Sequence, residues 1–492
     1  MNPRLKLWLA GTLGAGAALV VGYSIANEHL FIGMLLTAVI FWGLMEWISG
    51  PWPGAWILAG VLFGYIVGNR GFAQFMVSSD LPVLPAEGAL AVILPLLLIR
   101  HAHQLTNLVQ RDWLNLTLLL WVLLGVCRIP LDAQSYGLMA LRDFAMVYYA
   151  AFFFIAQALA HHPPSARLLR GTLTASFLVL LVVAAIDKLA PNVLLGLTVR
   201  GIPLIYFKGD LLAALLAAGF FWFWTRWESH GRPGWHLPAV ASLLLLGTTA
   251  SPRAALVATG IVTGIWLAAR RWRIALVQLA VVVIGLGITG IVVATGYRSL
   301  NDTTAYATYE SAISVFDLAG TGTYTSQHES GDPGGNNRFR IVWWQAVADE
   351  TLTEAPVFGL GFGHDLAARF LSDYGLLGAE DFTARSPHSM VMSVFGRMGL
   401  VGLVLWLGVT AAMGALTYHR FRAGGPDSLG LLSIAWVFWV SAAFGIVLEG
   451  PMGAVVFWTV LGLASGESSA APAAAPAVLH PGAAADEVAA SP

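Results

Sequence analysis

The sequence contains few charged residues. Only 11% of its 492 residues are Asp, Glu, Lys or Arg, whereas 57% are hydrophobic. A soluble globular domain carries roughly 25% charged residues, so this chain lacks the charge needed to cover a water-exposed surface. The composition therefore predicts an integral membrane protein. The formal net charge of −1 gives no information about partners, and no nucleic-acid partner is expected.

Cysteine is almost absent as well. Cys127 is the single cysteine of the sequence, which excludes an intramolecular disulfide and any metal cluster built from several cysteines. No Asp-x-Asp pattern lies near the residues that form the motifs described below. Neither a metal ion nor a cofactor is therefore expected.

Long apolar segments make up most of the chain instead. A helix needs about 20 apolar residues to cross a bilayer, or fewer where the bilayer adapts. Fourteen segments fit this description, at about 5–25, 30–48, 54–68, 86–100, 113–127, 143–160, 170–189, 209–227, 236–250, 253–269, 273–296, 389–417, 430–448 and 451–466. The sequence thus predicts an all-α polytopic membrane protein with about 12–14 transmembrane helices and one large, partly helical periplasmic loop.

The basic residues predict the orientation of these segments. Cytoplasmic loops are enriched in Lys and Arg, and the tight turn with Arg270, Arg271 and Arg273 is the strongest such signal. With a cytoplasmic N-terminus, nearly every cytoplasmic turn carries a basic residue, and the loop at 297–388 lies in the periplasm. We therefore expect a multi-pass membrane protein whose large loop lies outside the cytoplasm, which is the periplasm if the cell is Gram-negative.

This topology divides the chain into four predicted regions. They are an N-terminal transmembrane bundle at 1–296, a large periplasmic loop at 297–388, C-terminal transmembrane helices at 389–466 and a cytoplasmic tail at 467–492. The tail is expected to be disordered because it is rich in Ala and Pro.

Half of the basic residues fall on the predicted outer side, against the usual bias. Of 26 Lys and Arg residues, thirteen lie there: Arg70, Arg128, Arg142, Lys188, Arg200, Lys208, Arg253, Arg298, Arg338, Arg340, Arg369, Arg385 and Arg397. Any one of them could extend to lipid headgroups or pair with Asp132, Asp143 or Asp187. For the set as a whole, we favour a bound anion.

One motif, at residues 248–256, predicts a helix start on the outer side. Ser251 suits the N-cap and Pro252 the first helical position. The free N–H groups of a helix start and the positive end of its dipole favour anions such as phosphate. Arg253 adds a full positive charge at the same place. An ordinary capped helix would explain Ser251 and Pro252 but not Arg253, so we favour an anion site.

A second motif, at residues 336–347, has apolar residues at helical spacing and predicts an interfacial amphipathic helix. Arg340 and Trp344 are four residues apart and share a face. The Arg340 fork could hold a phosphate through two hydrogen bonds, with Arg338 nearby, although basic anchoring to the membrane is the alternative. The glycine-rich stretch that follows, 356–363, lacks the Lys-Ser/Thr of a nucleotide loop and is interpreted as a flexible turn.

A third motif contains His388, at the point where the loop re-enters the membrane. Histidine is the side chain best suited to proton transfer near neutral pH. A single histidine usually has a structural role, but this one stands at a predicted helix start among arginines. Their charge would keep the imidazole neutral, which is the form that a base requires.

From Arg340 to Gly402 the sequence resembles the O-antigen ligase and O-antigen polymerase superfamily. The family's late region has an Arg, a Trp four residues later, a Pro, a Gly-x-Gly-x-Gly turn, and a His followed by Gly after eleven and fourteen residues. The matching residues are Arg340, Trp344, Pro356, Gly359, Gly361, Gly363, His388, Gly399 and Gly402. The family's Ser-Arg-Gly-like helix start is similar to 251–254, with Pro252 inserted. Ser389 and Arg397 depart from the family's usual Asn and Glu.

The resemblance implies a metal-independent, inverting glycosyltransferase that uses a glycan linked to undecaprenyl diphosphate. It implies that Arg253 and Arg340 stabilise the departing diphosphate, and that His388 orients or deprotonates the acceptor hydroxyl. Weaker substrate-binding candidates, which include the helix cap and the motif's tryptophan, are Arg338, Arg200, Trp344 and Ser251. The expected partners are the lipid-linked donor, a glycolipid or glycan acceptor, and membrane lipids.

Several functions remain open at this point. An O-antigen ligase, which joins the glycan to lipid A core, is favoured over a polymerase that lengthens the glycan on its carrier. Protein O-glycosylation is a further variant. A transporter for an anionic solute belongs to another class, but no paired halves of the kind common in transporters are visible in the sequence. A structural assembly protein would leave the outer arginines unexplained.

Overall fold

A computed structural model describes residues 52–76, 83–100, 108–199, 201–231, 233–249, 253–313, 333–373, 385–423 and 426–469. The predicted spans at 5–25 and 30–48 lie outside the described residues. So do Arg200, Ser251 and nearly all of the predicted tail.

Helices dominate the described part of the chain. In chain order they are α1 (Pro53–Val67), α2 (Arg70–Ala73), α3 (Pro85–Arg100), α4 (Trp113–Tyr136), α5 (Leu138–Asp143), α6 (Ala145–Tyr148), α7 (Ala151–Ala160), α8 (Pro163–Leu189), α9 (Pro191–Gly196), α10 (Gly209–His230), α11 (His236–Gly247), α12 (Arg253–Ala268), α13 (Arg273–Ala294), α14 (Thr304–Ile313), α15 (Pro333–Glu354), α16 (Ala368–Asp373), α17 (Met390–Ala423), α18 (Pro426–Ala443) and α19 (Pro451–Ser469). Single 3-10 turns form at Pro233–Trp235 and Leu300–Asp302.

The only strands in the described residues form a small hairpin between α9 and α10. Strands β1 (Thr198–Val199) and β2 (Ile202–Pro203) pair antiparallel, with Thr198 opposite Pro203. An all-α polytopic membrane fold is therefore confirmed. Each of the twelve predicted spans from 54–68 onward coincides with a helix or, at 143–160, with a run of short helices.

Five helical segments in the described part are both long and apolar enough to cross a membrane: Trp113–Tyr136, Leu138–Ala160, Pro163–Leu189, Arg273–Ala294 and Met390–Arg422. Six shorter apolar helices accompany them. The second of the five is broken into α5, α6 and α7, where backbone N–H groups reach back three residues, as from Val147 to the carbonyl of Phe144. Such 3-10 bonds tighten the chain locally.

Helix α10 forms the centre of the bundle. All its residues from Leu211 to Thr225 are buried, and it packs against α8, α11, α12 and α18. A helix that is apolar on every side belongs in an interior, because no face of it can meet water favourably. The two ends of α10 therefore lie at opposite ends of the bundle. They are about 33 Å apart, because the helix has 22 residues.

The region predicted as the large loop contains helices α14, α15 and α16. Helices α15 and α16 and the stretch between them form a small apolar cluster that includes Trp343, Val347, Leu366 and Phe370, with Met392 of α17 packed against it. Helix α14 contacts α11, α12 and α13 as well as α15. The loop helices are thus packed onto the bundle and do not form a separate unit.

Candidate functional site

Two neighbouring tryptophans of α15 hold the turn that carries His388. The Trp344 indole N–H donates to the Pro387 carbonyl at 2.7 Å, and the Trp343 ring meets the His388 ring edge to face at 5.8 Å. Trp343 itself is fully buried and donates to the Leu366 carbonyl at 2.7 Å. The indole N–H of Trp344 therefore positions the turn, and any contact with substrate would use its ring.

His388 lies just before α17 with a half-buried side chain and a φ of +53°. A residue with a β-carbon seldom adopts such a backbone, and strained positions of this kind concentrate at functional sites. Burial, with the positive charges of Arg340 and Lys208, lowers the pKa of His388 to about 4, and Asp210 opposes this effect. The imidazole is thus neutral at neutral pH, as the sequence predicts.

Arg340 reaches from α15 to the end of α18. Its Nη1 donates to the Phe444 carbonyl oxygen at 2.8 Å. Burial lowers the pKa of Arg340, while the charge of Asp210 raises it; a guanidinium nevertheless stays charged at any physiological pH. The hydrogen-bond partner of Arg340 is thus a neutral carbonyl, and Asp210 is a nearby acidic residue whose charge acts on the guanidinium.

Lys208 and Asp210 complete this group of charges, and the sequence motifs did not identify either as a site residue. Their Nζ and Oδ2 atoms lie 3.2 Å apart at the start of α10. Asp210 also lies beside Gly445, where an added β-carbon would be 3.7 Å from its Oδ2. The only signal in the sequence is that Lys208 is one of thirteen basic residues predicted on the outer side.

Arg253 begins α12 at the same end of the bundle. Arg271, just after α12, pairs with Glu228 near the end of α10, so α10 and α12 run in the same direction. Helix α12 has 16 residues and spans about 24 Å, which brings Arg253 close to the level of Asp210. Helix α14 contacts both α12 and α15, and so connects the helices of Arg253 and Arg340.

Arg338 is half-buried on α15, two residues before Arg340. Side chains two apart on a helix point in different directions, so the two arginines do not present a joint surface. The structure brings Arg340 together with His388 and, through α14, connects their helices to the helix of Arg253. It does not describe Ser251 or Arg200.

The glycine-rich stretch at 356–363 is not a phosphate cradle, in agreement with its interpretation as a turn. Each backbone N–H from 359 to 363 donates to a protein acceptor: to the carbonyls of Ala355, Gly396 and Arg397, and to the carboxylates of Asp132 and Asp143. These five N–H groups are therefore not free to bind a phosphate.

This stretch instead fixes the break in α17, which leaves helical geometry at Gly399, with φ +63°. Added β-carbons at Gly359 and Gly399 would lie 2.5 Å from backbone atoms of the other segment. Leu400 and Val401 donate to the carbonyls of Pro356 and Val357. We call this contact the glycine latch. It holds α17, and hence His388, against the end of α15.

Three of the outer basic residues pair with the carboxylates that the sequence offers as partners. Arg397, which is buried, pairs with Asp143 at 2.6 Å. Arg128 pairs with Asp132 at 3.4 Å and Lys188 with Asp187 at 3.9 Å. For these residues the structural explanation is confirmed. Among the other outer basic residues, Arg340 and Lys208 lie close enough to His388 to act on its pKa.

Glu449 supports the other side of the His388 turn. Its Oε1 accepts hydrogen bonds from Ser386 at 2.7 Å and from Ser393 at 2.6 Å. Burial raises the pKa of Glu449, and the two hydroxyl donors and Arg397 oppose that rise. Ser386 and Ser393 lie on either side of His388, so the carboxylate ties together the two segments that flank it.

Comparison with known proteins places this site in context. Residues 237–407 match the family model described as O-antigen ligase. The matched segment contains Arg253, Arg340 and His388, whereas Lys208 and Asp210 precede it. No curated protein matches the chain.

Proposed function

Because residues 237–407 match the O-antigen ligase family model, we propose that the protein is an O-antigen ligase. It transfers a glycan from undecaprenyl diphosphate to a hydroxyl of lipid A core, on the periplasmic face of the inner membrane. The glycolipid acceptor and the lipid-linked donor both reach the site from the bilayer.

One observation carries the proposal: His388 is half-buried beside the positive charges of Arg340 and Lys208, and burial together with these charges lowers its pKa to about 4. Transfer from a lipid diphosphate needs cationic groups for the leaving group and a neutral base for the acceptor. The site offers both within one group of side chains. A simple binding site for an anion would not need a neutral imidazole held in a strained backbone conformation.

The donor's diphosphate binds to the arginines. Arg340 is anchored through Nη1 to a neutral carbonyl, which leaves its charge and its other N–H groups for phosphate oxygens. Arg253 adds a second fork from the start of α12. Guanidinium groups that are fixed before the reaction stabilise developing negative charge without reorganisation, and removal of one such donor typically costs about 10²–10³ in rate.

His388 receives the acceptor's proton. The acceptor oxygen attacks the anomeric carbon on the face opposite the diphosphate, while the bond from that carbon to the diphosphate oxygen breaks. The electron pair leaves on the diphosphate, the configuration inverts, and the hydroxyl proton passes to the imidazole. The bound diphosphate also brings negative charge next to His388 and so raises its pKa toward neutrality, which strengthens the base when the donor is in place.

The decisive experiment uses purified protein in detergent with lipid-diphosphate glycan and a lipid A core acceptor. We expect the coupled product and released undecaprenyl diphosphate, and we expect His388→Ala to abolish both. His419→Ala is the matched control, because His419 is an exposed histidine near the far end of α17. A transporter would release no lipid diphosphate in detergent. Normal transfer by His388→Ala would remove His388 from the mechanism.

Deletion of the gene distinguishes the ligase from the polymerase of the same superfamily. Without the ligase, finished polymer should accumulate on the lipid carrier. Accumulation of single repeat units would contradict the ligase proposal and identify a polymerase.

A further inference from the structure

A basic cavity lies at the opposite end of α10 from Asp210. Its volume is about 510 Å³, and its lining includes Trp227, Glu228 and the turn between α12 and α13. The positive-inside rule places this end of the bundle in the cytoplasm. The cavity is therefore separate from the proposed catalytic site by the length of α10.

The charges that line this cavity do not cancel. Arg271 pairs with Glu228, and Glu228 also accepts from the Trp224 indole at 3.2 Å. Within the described part of the chain, neither Arg270 nor Arg273 has a carboxylate partner for its guanidinium. One acidic residue thus meets three arginines, and two positive charges remain for a ligand.

The backbone of the turn is strained where it presents these charges. Arg270 has a φ of +56°, which is unfavourable for a residue with a β-carbon. Its N–H donates to the Leu267 carbonyl at 2.8 Å and that of Arg271 to the Trp266 carbonyl at 3.0 Å. These bonds fix a tight turn, and the arginines of this turn line the cavity together.

An exposed apolar stripe leads away from the cavity along α13, a helix whose other faces are largely exposed as well. Trp272, Leu276, Leu279 and Val283 share one face of the helix by their spacing. Their exposures are 58%, 52%, 58% and 59%, so no part of the described bundle covers them. A soluble phosphate would use only the arginines, whereas a lipid would use both the arginines and the stripe.

We propose that this cavity binds the headgroup of an anionic phospholipid of the cytoplasmic leaflet, whose acyl chains lie along the exposed stripe of α13. Basic pockets between membrane helices on this side suit such headgroups, and each arginine near an anionic surface favours binding by roughly fivefold. The forked guanidinium groups of Arg270 and Arg273 bind the phosphodiester, and Trp272 marks the level of the interface.

Native mass spectrometry of the purified full-length protein tests this site. The probes are phosphatidylglycerol, phosphatidylcholine of the same chain length, and glycerol phosphate without acyl chains. We expect preferential retention of phosphatidylglycerol by the wild type. The double variant Arg270→Gln/Arg273→Gln should lower that retention by about tenfold or more.

Two variants serve as controls. Arg111→Gln/Arg167→Gln removes two exposed arginines from the same predicted face and should leave retention unchanged. Arg270→Lys/Arg273→Lys keeps the charge and should retain most of the lipid, which separates charge loss from misfolding. Equal retention by the glutamine variant and its control would overturn the site. Equal binding of glycerol phosphate would overturn the lipid as its ligand. Either failure leaves the proposed glycan transfer untouched.

Discussion

At the scale of single residues, the pKa of His388 is the property that most directly determines when the site can work. A pKa of about 4 means that the imidazole is neutral, and competent as a base, over the whole physiological range. The cost is weak basicity in the free protein. In our proposal the donor's charge compensates for this weakness, so the base becomes strong only when its substrate is bound.

The rate of glycan transfer should therefore depend on pH through the protonation of His388. Because kcat/KM reports the free enzyme, it should stay level down to about pH 5 and fall as His388 becomes protonated near pH 4. Arg340→Gln removes a positive neighbour, so the pKa of His388 should rise and the acid limb should move to higher pH. Burial, the larger cause, keeps it below the ordinary value of 6.5. Rate–pH profiles of both proteins measure this.

The control for that profile is Arg298→Gln, which removes an exposed arginine from the same predicted side of the membrane. Its acid limb should coincide with that of the wild type. An acid limb that stays in place in Arg340→Gln would show that Arg340 does not act on His388.

A second residue-scale prediction concerns Arg253. Arg253→Lys keeps the charge but loses the planar fork, so transfer should fall by about tenfold. Arg253→Ala loses both and should fall by about 10²-fold or more. Initial rates with saturating donor measure the difference, with Arg298→Ala as the control. If both Arg253 variants remain fully active, the phosphate site at the start of α12 is wrong.

At the scale of elements, the glycine latch determines where His388 is held. The latch requires glycine at positions 359 and 399 for two reasons. Both residues have positive φ, and both touch the backbone of the other segment. The tryptophans of α15 and the carboxylate of Glu449 then fix the short turn in front of α17. The position of His388 and its backbone strain therefore depend on α15, on the glycine-rich stretch that follows it and on the segment that carries Glu449.

Gly399→Ala should disrupt this latch. A β-carbon there would meet the Gly359 nitrogen and the Val357 carbonyl at 2.5 Å, and the φ of +63° adds strain. We expect a loss of about 3 kcal/mol or more and strongly reduced transfer. Gly296→Ala is the matched control, because Gly296 also has positive φ but faces open space; it should cost roughly 1 kcal/mol. Thermal unfolding in detergent measures both, and equal losses would contradict the latch.

Some elements were predictable from sequence and others were not. Helices form at the twelve apolar segments from 54–68 onward because burial in lipid or in a bundle requires apolar side chains along the whole helix. Five helical segments of the described chain are long and apolar enough to cross a membrane. The family resemblance groups Arg340 with His388, and the structure places the charge of Arg340 near the His388 ring; their roles in transfer stay predictions. Lys208 and Asp210 were missed because they reach the site through the packing of α10 against α18, which no spacing in the sequence records.

For the glycine-rich stretch, the sequence likewise predicts the local structure but not its packing partners. Its pattern predicts a turn, and the turn is present. What the turn does depends on Asp132, Asp143 and the backbone of α17, which accept its N–H groups. The carboxylate partners of Arg128, Arg397 and Lys188 were predictable as a set. The sequence did not show which of the outer basic residues pair with these carboxylates. That became visible only in the folded structure.

At the scale of the whole molecule, our proposal is that the protein itself supplies the positive charge that glycan transfer requires. Transfer in detergent should therefore proceed at an unchanged initial rate with excess EDTA, because Arg340, Arg253 and Lys208 take the place of a divalent ion. Assays of released undecaprenyl diphosphate with and without EDTA measure this. A large fall that added Mg²⁺ restores would contradict the metal-independent mechanism.

The low pKa of His388 also makes it chemically addressable. Imidazoles with ordinary pKa values are mostly protonated near pH 5 and then resist acylating reagents, whereas His388 is still neutral and nucleophilic. Brief treatment at that pH should acylate His388. A bound acceptor analogue should shield it. The same group that would accept a proton in the reaction thus becomes a reporter of acceptor occupancy, one that can be quantified by peptide mapping without any turnover.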